Sequence, residues 1–217
     1  MPKIILVGAG GLSTHLVHSL TNIGDLHIFD GDKYEKKNIT RQHHANNNIG
    51  KNKAEVLAKH LSWSKNKVEF TPHYFDSSSA CEGDILIAAV DNNDARLYCR
   101  DVAERMYIPL IMGMNEEYDP QAYLYSPSYK CEKTNPFIYA SIAADGRDPS
   151  KSCTGELSGE SNDQTALANT VAAGFVLAIL NSVLNNYEDF REHTMAKIIG
   201  TNNAVYSRTL KQLEEDV

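Results

Sequence analysis

The chain has 217 residues, of which 42% are apolar and 23% charged, with a formal net charge of −7. That is enough sequence to bury one full core, with room for an appendage. The acidic balance argues against a nucleic-acid partner, because a surface that tracks phosphates needs an excess of Lys and Arg. No apolar run reads as approaching the roughly 20 residues that span a bilayer. Met1-Pro2-Lys3 leads straight into a strand, with no signal peptide read ahead of it. Cys81, Cys99, Cys131 and Cys153 show no C-x-x-C spacing, so reduced thiols and no zinc ribbon are expected. The expectation is a cytoplasmic protein with no membrane partner.

Lys3 to Val7 is a continuous apolar run, the pattern of a buried parallel strand. Gly8-Ala9-Gly10-Gly11 turns it into a helix running to about Asn22, with Leu12, Leu16 and Leu20 along one face. Asp25 to Asp30 is a second strand. Glycines at such a turn let the backbone approach a phosphate, and the helix N-terminus adds N–H donors. Asp30 follows Gly8 by 22 residues, the spacing of an acid that takes ribose hydroxyls. The turn reads Gly-x-Gly-Gly-x-Ser, with Ser13 as its last small residue. The plainer reading is a tight turn with no ligand.

Lys51 to Trp63 has helical spacing, and Val68 to Thr71 reads as a third strand. Asp84 to Val90 is another buried strand that ends in Asp91, read as a site residue; the plainer reading is a cap on the helix from Asn92 to Met106, and one residue can serve both roles. Pro109 to Met112 follows as a strand. Gln121 to Tyr125 alternates as an extra, antiparallel one. Punctuation by Pro and Gly makes 126–163 a long loop. A long helix over 164–186 is apolar almost all round and is expected buried or at a dimer interface. Ala196 to Ile199 and Ala204 to Ser207 form a terminal hairpin. The whole predicts an α/β, Rossmann-like doubly wound, mainly parallel sheet with an antiparallel C-terminal extension. It is read as one domain, 1–217, with a nucleotide-binding core over 1–115 and an extension over 116–217. Gly8, Asp30 and Asp91 then share the carboxyl end of one sheet.

The loop between Asp30 and Lys53 carries Asp32, Asn38, Arg41, Gln42 and Lys53. Acids able to hold ribose or metal, followed by amides and two cations, suit a nucleoside triphosphate. A nicotinamide cofactor has no γ-phosphate for so much positive charge to meet.

Together Gly8-Ala9-Gly10-Gly11, Asp30-Gly31-Asp32, Asn38-Ile39-Thr40-Arg41-Gln42, Ile49-Gly50-Lys51 with Lys53, and Asp91-Asn92 with Arg96 resemble the ThiF/MoeB family of adenylating enzymes, relatives of ubiquitin-activating enzymes. Cys153, Gln164 and Asn169 are similar, more narrowly, to the branch of that family found in the PRTRC system. The resemblance implies ATP- and Mg²⁺-dependent adenylation of a carboxylate, usually the C-terminal glycine of a ubiquitin-like protein. It implies phosphate contacts from Arg41 and Lys53, hydrogen bonds from Asn38 and Gln42, ribose on Asp30 with Asp32 beside it, and Mg²⁺ on Asp91. Gly8, Gly10 and Gly11 would cradle the phosphates, and Arg96 would pair with Asp91 or support the site. It also implies a homodimer. The family's partner-donated arginine and its paired C-x-x-C zinc site have no counterpart in the motifs here, and Arg100, Arg105 and Arg147 are the candidates to replace that arginine.

Cys153 lies in a polar loop where related enzymes carry a thioester- or persulfide-forming cysteine, next to Lys151; a thiol without chemistry is the plainer reading. His15 with His18 and His43 with His44 form pairs without an evident third metal ligand. Two other functions stay open: a nucleotide-binding scaffold that has lost catalysis, and an NAD-dependent oxidoreductase.

Overall fold

The computed structural model describes residues 1–76, 79, 81–116, 119–125, 127, 165–185, 197–201 and 204–208. In chain order its elements are β1 (Lys3–Val7), α1 (Gly11–Ile23), β2 (Asp25–Phe29), α2 (Lys53–His60), β3 (Val68–Thr71), β4 (Ile85–Ala88), α3 (Asn93–Met106), β5 (Leu110–Glu116), β6 (Asp119–Tyr125), α4 (Ala166–Asn185), β7 (Lys197–Thr201) and β8 (Ala204–Arg208). They build one sheet in the order β3-β2-β1-β4-β5-β6-β7-β8. The first five strands of that order are parallel and the pairings from β5 to β8 are antiparallel. The α/β, mainly parallel sheet with an antiparallel extension is therefore present as expected.

The unbroken apolar runs of β1 and β4 follow from coverage on both faces. On one face Ile4, Leu6, Leu26 and Ile28 pack under Leu12 and Leu16 of α1, Leu57 of α2 and Val176 and Ile179 of α4. On the other, Ile5, Val7, Leu86 and Leu110 pack against Cys99, Val102 and Ala103 of α3. With alternate strand residues committed to opposite cores, a one-residue slip would exchange the two sets, so the register is held firmly.

Two expectations change here. α4 is 20 residues long with a mean hydropathy of 1.9, so the chain does contain a helix long and apolar enough to cross a membrane. In this fold its inner face, with Ala172, Val176, Ile179 and Leu180, packs on α1, β5 and β6. Leu167 and Val171 lie exposed on its outer face. The cap of α3 is Asn92, whose side chain accepts from the Ala95 N–H at 2.8 Å. Asp91 is thus not the cap, and its side chain is exposed.

Candidate active site

Gly8 and Asp30 follow directly on β1 and β2, and Asp91 follows β4 after Ala89 and Val90; the three strands are neighbours in the sheet. Gly8 extends both parallel ladders. Its N–H donates to Phe29 O at 2.8 Å, and the Ala89 N–H donates to Val7 O at 2.8 Å. Gly8 has φ +92°, and a Cβ there would lie 2.4 Å from Ala89 O. Glycine is needed on both counts. Ser13 closes the turn from below: buried, it donates its Oγ–H to Gly8 O at 2.6 Å. A Cβ on Gly10 would meet nothing nearer than Gln42 Nε2 at 4.0 Å, so the concave side of the turn is open beside the Gln42 amide.

Asp30 locks the next turn. One carboxylate oxygen accepts the Ala9 N–H at 2.6 Å and the other accepts the Asp32 N–H at 2.7 Å. Burial pushes its carboxyl up; those two N–H groups and the Lys53 charge work against that rise without cancelling it. Each oxygen keeps a second lone pair, so ribose hydroxyls have acceptors there.

Asp32 accepts from Lys53 Nζ at 2.9 Å on one oxygen and from the Tyr74 hydroxyl at 2.5 Å on the other. Burial raises its pKa, but those two partners together outweigh burial and hold the carboxyl below its usual range. Asn52 caps α2 and donates its amide to Asp30 O at 2.8 Å and Asp32 O at 3.1 Å. That cap ties the start of α2, and with it Lys53, to the end of β2. Lys53 is mostly buried along its stem, with a side chain 10% exposed.

Asn38 is buried, and its Oδ1 accepts the Glu35 N–H at 2.9 Å while its carbonyl accepts from the N–H groups of Arg41 and Gln42. Its amide thus shapes the loop that presents the next two residues. Gln42 is buried with Oε1 lacking a hydrogen-bond partner. A buried unpaired acceptor next to an open glycine turn is what a ligand with donors or bound water would satisfy. Arg41 is half-buried beside it.

Arg96 is buried and donates to Asn93 Oδ1 at 2.8 Å and to Val90 O at 2.9 Å, so it braces the turn after β4. Asp91 has the Asn92 amide at 3.4 Å. Among the described residues no three His, Cys, Asp or Glu side chains gather as a metal site. A magnesium ion carried by a triphosphate needs only one or two protein carboxylates, the phosphates and water filling the rest. The exposed Asp91 carboxylate fits that demand.

The fold adds residues that spacing hides. Tyr74 reaches Asp32 from the β3–β4 crossover. Asn169 of α4 is fully buried against Gly11, where a Cβ would lie 2.4 Å from its Nδ2, and its Oδ1 accepts from Asn115. His60 supplies the neighbour that the histidine pairs lack in sequence. Its ring lies 5.6 Å from that of His18 and 4.1 Å from that of His44, and His15 packs on His43. Cys99 is buried, and burial pushes its thiol far up, as it does the half-buried Cys81 to a smaller degree. Cys131, Cys153, Arg147 and Gln164 lie outside the described residues, as does most of the stretch expected as a loop over 126–163.

The chain is similar to the SAMP-activating enzyme E1 of Haloferax volcanii, with 28% identity over 164 residues, 71% of this chain and 60% of that protein. It is similar also to the sulfur carrier protein adenylyltransferase of Thermus thermophilus, with 27% identity over 147 residues, 59% of this chain and 54% of that protein. The matches therefore take in little more than half of each relative's length. Among solved structures, E. coli MccB with ATP aligns at a TM-score of 0.69 and 20% identity, over 96% of this chain and 63% of that one. E. coli tRNA N6-threonylcarbamoyladenosine dehydratase, TcdA, aligns at 0.63 and 19% identity, over 86% and 87%. At those identities the likeness is one of fold. The ThiF family pattern matches residues 2–216, taking in the glycine turn, the Asp30–Lys53 loop and the antiparallel strands beyond. By that match the chain belongs to the ThiF family.

Proposed function

We propose that the chain binds ATP at the carboxyl ends of β1, β2 and β4 and adenylates a carboxylate, the C-terminus of a ubiquitin-like or other small carrier protein. The observation that carries this is the meeting of Gln42 with the open side of the glycine turn, with Arg41 in the same loop and Lys53 tied to the end of β2. The N–H groups at the start of α1 hold phosphate oxygens, and Asp30 accepts the ribose hydroxyls. A carboxylate oxygen attacks the α-phosphorus. The bond from that phosphorus to the bridging oxygen breaks, and pyrophosphate leaves with the electron pair. Carboxylate and triphosphate repel each other, so Arg41 and Lys53 neutralise the charge where they meet. Asp91 would hold Mg²⁺, which would supply further neutralisation of phosphate charge.

Onward transfer of the acyl group to Cys153 belongs to the same reading. It is supported by the resemblance of the Cys153 stretch to related enzymes that carry a thioester- or persulfide-forming cysteine there. A homodimer, supported by the exposed apolar side chains on the outer face of α4, and a cytoplasmic site of action complete it. An NAD-dependent oxidoreductase is disfavoured by the two cations gathered where a dinucleotide has no third phosphate.

The test is ATP–pyrophosphate exchange with Mg²⁺ and candidate ubiquitin-like partners, for the wild type, Arg41→Ala and Asp91→Ala. Exchange by the wild type and a loss of about a hundredfold or more in each variant is expected. ATP binding without exchange for any partner would point to the scaffold instead. NAD binding without ATP binding would sink the reading. A Cys153→Ala protein that still forms the partner conjugate would remove the transfer step.

A further inference from the structure

Tyr74 stands in the crossover between β3 and β4, and 69% of it is exposed, unusual for an aromatic residue beside a binding site. Two contacts hold it. Its hydroxyl donates to Asp32 Oδ1 at 2.5 Å. Its ring covers Gly31, where a Cβ would lie 2.8 Å from Cδ2 and 2.9 Å from Cε2 and Cγ. The glycine between Asp30 and Asp32 is therefore explained by the ring lying on it. The phenol also feels the charges of Asp30 and Asp91, as well as that of Asp32. The ring thus lies over the turn after β2, with much of its surface open.

We propose that Tyr74 is the platform on which the nucleobase of the bound nucleotide stacks, held in place by Asp32. This rests on the reading that the site binds ATP. The acidic turn under the ring, with Asp30 and Asp32, repels the phosphate end of a nucleotide, whose cations are Arg41 and Lys53. It does not repel the base, and every base offers a π-face to an aromatic ring. The same carboxylate that holds Tyr74 holds Lys53 on its other oxygen at 2.9 Å. Asp32 thereby sets the base platform and one phosphate cation at a fixed spacing. Tyr74 is a binding and specificity residue in this arrangement, and takes no part in bond making.

The experiment is calorimetric titration of the wild type, Tyr74→Ala and Tyr74→Phe with MgATP and with magnesium tripolyphosphate, which has no base. Thermal melting confirms that each variant is folded. Tyr74→Ala is expected to bind MgATP about tenfold or more weakly and tripolyphosphate as the wild type does. Tyr74→Phe, which keeps the ring and loses only the hydroxyl bond to Asp32, is expected to bind MgATP more tightly than Tyr74→Ala does. Equal MgATP binding by wild type and Tyr74→Ala would overturn the platform. So would equal losses for MgATP and tripolyphosphate, which would mean that Tyr74 acts only through Asp32 and Lys53. If tripolyphosphate binds too weakly to titrate, a Tyr74→Phe protein as impaired as Tyr74→Ala overturns it. A wild type that binds no ATP sinks the ATP reading itself, and the platform with it.

Discussion

Replacing Gly8 by alanine inserts a methyl group between two paired strands. The new Cβ would sit 2.4 Å from Ala89 O and 3.0 Å from Ala89 C, both backbone atoms, so no side-chain rotation relieves it. The hydrogen bonds from Gly8 N to Phe29 O and from Ala89 N to Val7 O, each 2.8 Å, hold the backbone from both sides. The φ of +92° adds strain for any residue with a Cβ. Strain of about 1–2 kcal/mol and overpacking of about 1–3 kcal/mol sum to a loss of about 2–5 kcal/mol. In a domain of this size that lowers Tm by on the order of 10 °C. Gly50 provides the control, with φ +84° and nothing within 4 Å of an added Cβ. Gly50→Ala carries the strain without the contact and costs about 1 kcal/mol. Gly10 has φ −82° and its nearest neighbour at 4.0 Å. Gly10→Ala leaves stability within about 0.5 kcal/mol but fills the open side of the turn and weakens ATP binding. Urea unfolding and thermal melting of the three variants test the set. A Gly8→Ala protein no less stable than Gly50→Ala would refute the argument.

Gly11→Ala places a Cβ 2.4 Å from the amide of the buried Asn169. It should destabilise by about 1–3 kcal/mol alone, yet stabilise by up to about 1 kcal/mol in an Asn169→Ala background, where only the helix preference for alanine remains; urea unfolding of the double-mutant cycle reads the reversal. The His44 imidazole is pushed down to about 4 by burial and then by His60, His43 and His18. Its unfolded form takes up a proton near pH 6.5, so its contribution is full above that pH and is lost as pH falls toward 4. Discounted for partial exposure, that is on the order of 1–2 kcal/mol, and His44→Gln should flatten the stability profile between pH 7 and 5. Native iodoacetamide labelling at neutral pH should leave Cys99 unmodified, because the thiol is buried and held protonated; mass spectrometry that finds Cys99 alkylated in folded protein would refute that. Lys53→Met should abolish exchange while costing under about 1 kcal/mol of stability, since its partner Asp32 is 48% exposed.

Local pattern carries the architecture in this chain. Continuous apolar runs at Lys3–Val7 and Ile85–Ala88 can satisfy their surroundings only between two covering layers, and they form the centre of the parallel sheet. Gln121–Tyr125 forms the antiparallel strand that its alternation suggests, but both of its faces are buried, Ala122 and Leu124 in one core and Tyr123 and Tyr125 in the other, so the alternation sorts side chains between two cores and not between core and solvent. α4 is harder. Its composition is apolar nearly all round, and composition cannot distinguish a helix that packs on a sheet from one that crosses a bilayer; its inner face and its contacts with α1, β5 and β6 appear only when the chain is folded.

The site divides in the same way. Gly8, Asp30, Arg41, Gln42, Lys53 and Asp91 are legible because each lies at a predictable distance after a strand or within one loop. Asn92 and Asp91 are equally able to cap a helix, so only the observed bond to the Ala95 N–H decides between them. Tyr74 and His60 leave no local signal, and Asn169 stands out only through the family resemblance, which says nothing of its contact with Gly11. Tyr74 meets Asp32, and His60 meets His18, across 42 residues, and Asn169 reaches Gly11 from the far half of the chain. By itself the sequence determined strand, turn and helix, and with them which residues follow the strand ends, because these depend on neighbours within a turn or two. The tertiary structure alone decided which side chains meet above those ends, because that depends on the order in which distant strands pair.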